Sequence, residues 1–333
     1  MYKIGIVGAT GAVGIEMIRC LGDFSIPLSE LRLWASPRSV GKKLPTPLGD
    51  ITIEIIDDTF FDGLDFALFS AGWDASREWI PRAVSLWVRV IDNSSAFRYD
   101  RDVPLVIPAI NGDAIGNAMI IANPNCTTAI ALMAVYPIYR AYGMKKMIVS
   151  TYQATSGAWA KGMEELLENT RRYFSQESPK IETFVENIAF NVIPHIDTFQ
   201  ANGYTKEEMK VVWETRKILR DETLNISCTA VRIPTLRAHS ESIVIETERP
   251  VDIAHIRAIL QTSPGIDLVD DIANNRYPMP IHAMWKYNIE VGRIRKNLVF
   301  WDYWIEFFVS GDQLLRWAAL NAVEILDYII HHP

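Results

Sequence analysis

Cys126 lies in the stretch ANPNCTTAIALM, between Asn-Pro-Asn and an apolar helical run. Pro124 fixes its own φ and pushes Asn123 toward extended geometry, so a strand or loop ends there. Thr127, Thr128 and the run AIALMAV read as a helix that starts at or just after Cys126. A thiol at a helix N-terminus meets unpaired N–H groups and the positive end of the dipole, which favours the thiolate. The plain alternative is a small buried hydrophobe. Cys20, inside a helical pattern, and Cys228, inside a strand pattern, are read in that plain way.

A second chemical signal opens the chain. GIVGATGAVGIEM places Gly8, Gly11 and Gly14 directly after a strand and into a helix. Such glycines allow a tight turn, close approach of the backbone to a pyrophosphate, and packing of helix on strand; the helix start supplies donors to the phosphate. The spacing is a variant of the dinucleotide fingerprint, and its context after a strand and before a helix strengthens it. An NAD site usually ends the second strand on Asp or Glu. Here LWASPRSVGKK offers Ser36, Arg38 and Ser39, hydroxyls and a guanidinium that suit a 2′-phosphate, so NADP is expected. The same basic loop, with Lys42 and Lys43, is otherwise simply solvated.

A cysteine nucleophile beside a nicotinamide implies aldehyde–acyl chemistry, with hydride passing to or from a thioester or thiohemiacetal carbon. That chemistry needs an acid/base. Of six histidines, His331 and His332 form a terminal tail, His255 sits on a helix pattern, and His282 is either packed or lining a site. His195, after a proline in NVIPHIDTF, and His239, in a polar turn of RIPTLRAHSESIVIE, remain close competitors.

The elements that position these residues come in two textures. Up to about residue 125, short apolar strands (3–7, 31–35, 51–55, 65–70, 88–92, 119–123) alternate with helical patterns such as 12–21. That is the signature of a parallel sheet covered on both faces. Later strands (KMIVSTYQA, ISCTAVRI, ESIVIETE, KYNIEVGRI, FWDYWIEFFV) are longer and partly alternating, as in an antiparallel sheet. Helical patterns run over 160–173, 205–220 and 252–261, and a last helix over 313–330. The fold class is therefore α/β: a Rossmann-type dinucleotide-binding domain (1–127 with 313–333) and an α+β catalytic and dimerisation domain (128–312) with a mainly antiparallel sheet.

Bulk properties exclude several classes. The 333 residues are 49% hydrophobic and 22% charged, ordinary for a globular protein. A net charge of −7 offers no basic face to nucleic acid or an anionic membrane. Three scattered cysteines form neither a disulfide framework nor a metal motif and suit a reducing cytosol. No signal peptide precedes the first strand, and Asn123-Pro124-Asn125 splits the longest uncharged stretch, so a cytoplasmic protein without a membrane span is expected.

GATGAVG, SPRSVGK, IDNSSAFR, NPNCTT, YQATSGA, NVIPHID, TKEEMK and RIPTLRAHSESIVIE occur in this order. Together they resemble the aspartate-β-semialdehyde dehydrogenase family from Met1 to the C-terminal helix. The resemblance implies NADPH-dependent reductive dephosphorylation of aspartyl-β-phosphate, a step toward lysine, methionine, threonine, isoleucine and diaminopimelate. It makes Cys126 the nucleophile, Gln153 the residue that orients the intermediate, and His239 the acid/base. Arg232 would hold the α-carboxylate, Glu207 the α-ammonium, and Lys210 with Arg98 the phosphate.

The cofactor set implied by the resemblance takes in Gly8, Thr10, Gly11, Ala12, Val13 and Gly14, then Ser36, Arg38, Ser39, Ser70 and Ala71. Asn93, Asn125, Ser156, Gly157 and Gln313 complete it. A homodimer or homotetramer is implied as well. The sequence departs from the family at Trp73, where SAGG is usual, at Trp159, and at Gln313 with Arg316-Trp317; Asn297 to Val309 is also unusually aromatic. Alternatives are a reductase of another acyl phosphate or acyl-CoA, such as N-acetylglutamyl phosphate, and a silent dinucleotide-binding regulator. An ammonium partner for Glu207 separates the first from the favoured reading.

Overall fold

Continuous apolar runs bury best in strands covered on both sides, and the first half of the protein is built from them. The structure, a computed structural model, describes residues 1–57 and 59–332; Asp58 and Pro333, both inside the expected dinucleotide-binding span, lie outside the described residues. The chain forms two compact units, Met1–Asn125 with Trp317–Pro333, and Cys126–Arg316.

In the first unit, strands β1 (Tyr2–Val7), β2 (Leu28–Trp34), β3 (Lys43–Thr46), β4 (Gly49–Glu54), β5 (Phe66–Phe69), β6 (Arg89–Asp92) and β7 (Ile120–Ala122) form one sheet, ordered β3-β4-β2-β1-β5-β6-β7. All neighbours are parallel except the β3–β4 hairpin at the edge. Strand β3 was not among the expected strands: its Pro45 breaks the local strand signal and is tolerated because the strand is at the sheet edge. Helices α1 (Ala12–Asp23), α2 (Trp73–Ser85) and α3 (Pro108–Asn111) follow β1, β5 and β6, and the C-terminal helix Asn321–His331 packs on α1 and α3.

The last segment is not the single regular helix expected. Gln313–Leu320 winds in wider, π-type turns before the α-helix begins. Side-chain amides of Asn93 and Asn123 donate to the carbonyls of Ala318 and Trp317, which supplies these carbonyls with partners outside an i→i+4 ladder.

The second unit carries α4 (Cys126–Tyr142), β8 (Lys146–Gln153), α5 (Trp159–Phe174), α6 (Lys206–Leu219), β9 (Asn225–Arg232) and β10 (His239–Glu246). It continues through α7 (Ile253–Thr262), β11 (Ile266–Leu268), α8 (Pro280–Ala283), β12 (Ile289–Asn297) and β13 (Trp301–Gly311). The sheet order is β11-β12-β13-β10-β8-β9, antiparallel except for β8–β9 and β11–β12. Helix α4 is buried from Thr127 through Val135, as an all-round apolar helix must be, and packs against α6, α7 and the strands β10, β12 and β13. Cys126 opens that helix. Cys20 and Cys228 are buried, and no disulfide joins the three cysteines.

Candidate active site

Three strands of the second unit bring polar side chains to one end of its sheet. Gln153 ends β8 and Arg232 ends β9, directly paired in parallel register. His239 opens β10, one residue before Ser240, which pairs with Tyr152. Alternation along the strands puts the three on one face of the sheet.

Glu207 ties Gln153 to the helices. The Thr151 hydroxyl donates to Gln153 Oε1 (3.0 Å), which fixes the amide so that its Nε2 donates to Glu207 Oε1 (3.1 Å). Thr127, next to Cys126, donates to the same oxygen at 3.5 Å. Lys210 Nζ reaches Glu207 Oε2 (3.0 Å) and Asp197 Oδ2 (2.8 Å). Burial works against the Lys210 ammonium, but the two carboxylates outweigh it and raise its pKa. Two of its three N–H donors are thus occupied, and one is left for a ligand.

Helix α6 holds Glu207 in place by its own start. Thr205 caps the helix, accepting from Glu208 N (3.3 Å), while Glu208 returns a carboxylate oxygen to Thr205 N (2.6 Å). The other oxygen of Glu208 accepts from Ala230 N of β9 (2.9 Å), so one residue closes the capping box and moors the helix to the sheet.

Arg232 is 5% exposed, and its Nη1 donates to Ala154 O at 2.6 Å. Burial lowers its pKa, and the negative charges of Glu207 and Cys126 offset part of that shift. His239 is fully buried. The N–H of Ala154 donates to its Nδ1 at 3.1 Å, so the neutral ring carries its proton on Nε2. Burial, with Arg232 adding to it and Glu207 opposing, pushes the His239 pKa down to about 3. Its Nε2 has no partner among the described residues. A Cβ on Gly157 would stand 2.5 Å from Arg232 Nη1 and 3.4 Å from His239 Cε1, which explains glycine there. Ser156 accepts from the Gln313 amide, whose oxygen takes the N–H of Ala238 (3.0 Å).

The chemistry available here is acyl transfer: a thiol at a helix start, an imidazole N–H, a buried guanidinium, and a carboxylate–ammonium pair.

The first unit carries the glycine turn. Gly8 has φ +99°, and the N–H groups of Gly8 and Ala9 both donate to Trp34 O (2.9 and 2.8 Å). A Cβ on Gly8 would lie 2.9 Å from Ser70 O, and one on Gly14 only 2.3 Å from Gly8 O. Gly11 caps α1 without a side-chain hydrogen bond, which leaves the N–H groups of the first turn available to a phosphate. The cradle fits a dinucleotide. Thr10 and Ala12 border it half-buried, and Val13 packs into the core. Ser36 and Arg38 are exposed and Ser39 is partly so, in the turn after β2; Ala71 is half-buried after β5.

Other expected site residues of this unit have structural work. The Asn93 side chain donates to the Ala318 carbonyl and accepts from Asn123 Nδ2 (2.8 Å). Arg98 donates to Asn123 O (2.8 Å) and Asn93 O (2.7 Å), bracing the turn after β6. Asn125 is buried at the end of the unit.

Residues 3–118 match the family model described as the semialdehyde dehydrogenase NAD binding domain, and residues 135–316 match the semialdehyde dehydrogenase dimerisation domain. Aspartate-semialdehyde dehydrogenase of Aquifex aeolicus is 45% identical over 99% of this chain and 98% of its own; that of Bacillus subtilis is 42% identical over 97% and 96%. Among solved structures, aspartate semialdehyde dehydrogenase II of Vibrio cholerae superposes with a TM-score of 0.96 at 39% identity, covering 99% of this chain and 98% of its own. The chain belongs to the aspartate-semialdehyde dehydrogenase family.

Within that family frame, the structure draws Cys126, Gln153, Glu207, Lys210, Arg232 and His239 into one unit, while Arg98 and the glycine turn belong to the other. The competing His195 is stacked on Phe199 at 4.5 Å, and His255 bonds Tyr142 (2.7 Å). Sequence reasoning missed Thr127, Thr151 and Asp197. Asp197 follows two residues after His195, inside a quoted motif, and only its pairing with Lys210 reveals it. Of the departures from the family, Trp159 takes φ +63° and ψ −161°, a region natural only to glycine, and Trp73 stands exposed.

Proposed function

We propose that the protein catalyses NADPH-dependent conversion of aspartyl-β-phosphate to aspartate semialdehyde and phosphate, through a thioester on Cys126. One observation supports this above the rest: a continuous chain of hydrogen bonds and ion pairs, Thr151–Gln153–Glu207–Lys210–Asp197, built beside the start of the cysteine helix. The V. cholerae relative, whose structure is complexed with ASA, is in keeping with this substrate.

In this reading the Cys126 thiolate attacks the acyl carbon, a C–S bond forms, and the C–O bond to phosphate breaks. The Nε2–H of neutral His239 donates to the oxyanion that develops, and Gln153 orients the acyl group. Arg232 takes the α-carboxylate with its remaining donors and Glu207 the α-ammonium. Lys210, by its third N–H, serves the phosphate. When bound at the glycine turn, a nicotinamide cofactor would supply the hydride needed to reduce the thioester. When the aldehyde leaves, the thiolate is regenerated.

NADP is preferred to NAD because the turn after β2 offers Ser36, Arg38 and Ser39 and no carboxylate. Residues 1–127 with 313–333 serve the cofactor, and 128–312 serve catalysis and dimerisation. The protein works as a homodimer in the cytoplasm, on the path to lysine, methionine and threonine; no helix among the described residues is long and apolar enough to cross a membrane.

The test runs the reverse reaction. Nicotinamide absorbance should rise with aspartate semialdehyde and NADP only when phosphate is present, more slowly with NAD, and not at all with Cys126→Ala. A rise independent of phosphate, or one retained by the alanine variant, would refute this reading.

A further inference from the structure

Trp73 begins α2, and 53% of its surface is exposed. It follows Gly72, whose φ of +95° turns the chain sharply out of β5. Three residues earlier, Ser70 N donates to Val7 O (2.8 Å), and the Ser70 carbonyl lies against the space a Cβ of Gly8 would fill. The loop that carries Trp73 and the glycine turn therefore share the C-terminal ends of adjacent strands β5 and β1. The chain proceeds from β1 to β2 on one side, while β5 lies on the other. That reversal is the switch point at which α/β sheets take dinucleotides.

The indole is braced from within the unit. The Arg77 guanidinium lies 5.5 Å from its ring centroid and itself sits 4.3 Å over Phe97. Arg77 also donates to the Ala96 carbonyl and reaches Asp100 at 3.5 Å. A flat, half-exposed ring backed by a guanidinium, on a loop that leaves the same strand ends as the glycine turn, has the chemistry of a platform for another flat ring. Hydride transfer requires the nicotinamide end to be shielded from water, whereas the adenine end tolerates a solvent-facing rim. Exposure at the rim therefore matches adenine.

We propose that Trp73, backed by Arg77, stacks on the adenine of the bound dinucleotide and sets affinity at that end. The proposal rests on the first unit holding such a cofactor. Titration calorimetry on wild type, Trp73→Ala and Trp73→Phe would compare NADP with 2′-phospho-ADP-ribose, which keeps the adenine and lacks the nicotinamide. Trp73→Ala should weaken both ligands by the same factor, about tenfold, and Trp73→Phe should stay within about threefold of wild type. Unfolding temperatures should match, since half of the side chain is already in water. Equal binding by Trp73→Ala, or a loss confined to NADP, would overturn the stacking role. A wild-type protein that bound neither ligand would instead remove the cofactor reading beneath it.

Discussion

A buried imidazole whose Nε2–H meets no acceptor among the described residues costs about 1–3 kcal/mol of desolvation, and the cost is recovered when negative charge forms beside it. With a pKa of about 3, His239 stays neutral through the working range and remains a donor rather than a cation. Arg232 is the charge that helps keep it so. Lysine at that position keeps a charge but loses the planar fork. Arg232→Lys should lower kcat/KM by about 100-fold, chiefly through KM for aspartate semialdehyde. Steady-state kinetics showing an unchanged KM would remove the carboxylate role from Arg232.

Glu241 tests the electrostatics of the same sheet face. It lies two residues along β10 from His239, fully buried, with no partner for either oxygen among the described residues. Burial raises its pKa well above the carboxylate range. The folded state therefore keeps a proton that the unfolded chain has lost, and stability declines as pH rises from the unfolded value toward the folded one. Glu241→Gln carries no charge at any pH. Its unfolding temperature should gain on wild type as pH rises above the ordinary carboxylate range, with the gap growing upward. A gap that is constant or shrinks with pH would contradict an uncharged Glu241.

At the scale of elements, α6 matters because two site residues ride on its first turns. Thr205→Ala opens the capping box and should cost about 1 kcal/mol in denaturant unfolding. It should also lower kcat/KM, because Glu207 and Lys210 lose their fixed start; full activity at reduced stability would separate the cap from the site. The helix was legible in TKEEMK and its apolar period, as were α1 and the run after Cys126. Glu241 was not legible. In HSESIVIE a glutamate reads as solvent-facing, but its register places it with His239, Ile243 and Ile245 on the covered face. Nor was the parallel pairing of β8 with β9, since strand pattern alone does not give direction. The π-type turns at Gln313–Leu320 depend on amides contributed from far away in the sequence, and no local pattern announces them.

At the scale of the molecule, fold class was readable because the glycine turn, the strand–helix alternation and the later alternating strands all agree. Residues 135–316 match a dimerisation domain, and the second sheet offers an exposed apolar face for that contact. Its face away from α4 carries Ile148 (44% exposed), Tyr152 and Phe308, the last two with ring centroids 6.0 Å apart. Ile148→Asp should halve the mass seen by light scattering while leaving circular dichroism intact; an unchanged mass would place the dimer contact elsewhere.

Acylation of Cys126 by the substrate leaves a covalent mark that mass spectrometry can read. Mixing protein with aspartyl-β-phosphate in the absence of cofactor should add the mass of one aspartyl group to the peptide containing Cys126, with release of phosphate and no addition in Cys126→Ala. Acylation mapped to another residue, or turnover by a protein that never acquires the adduct, would contradict it.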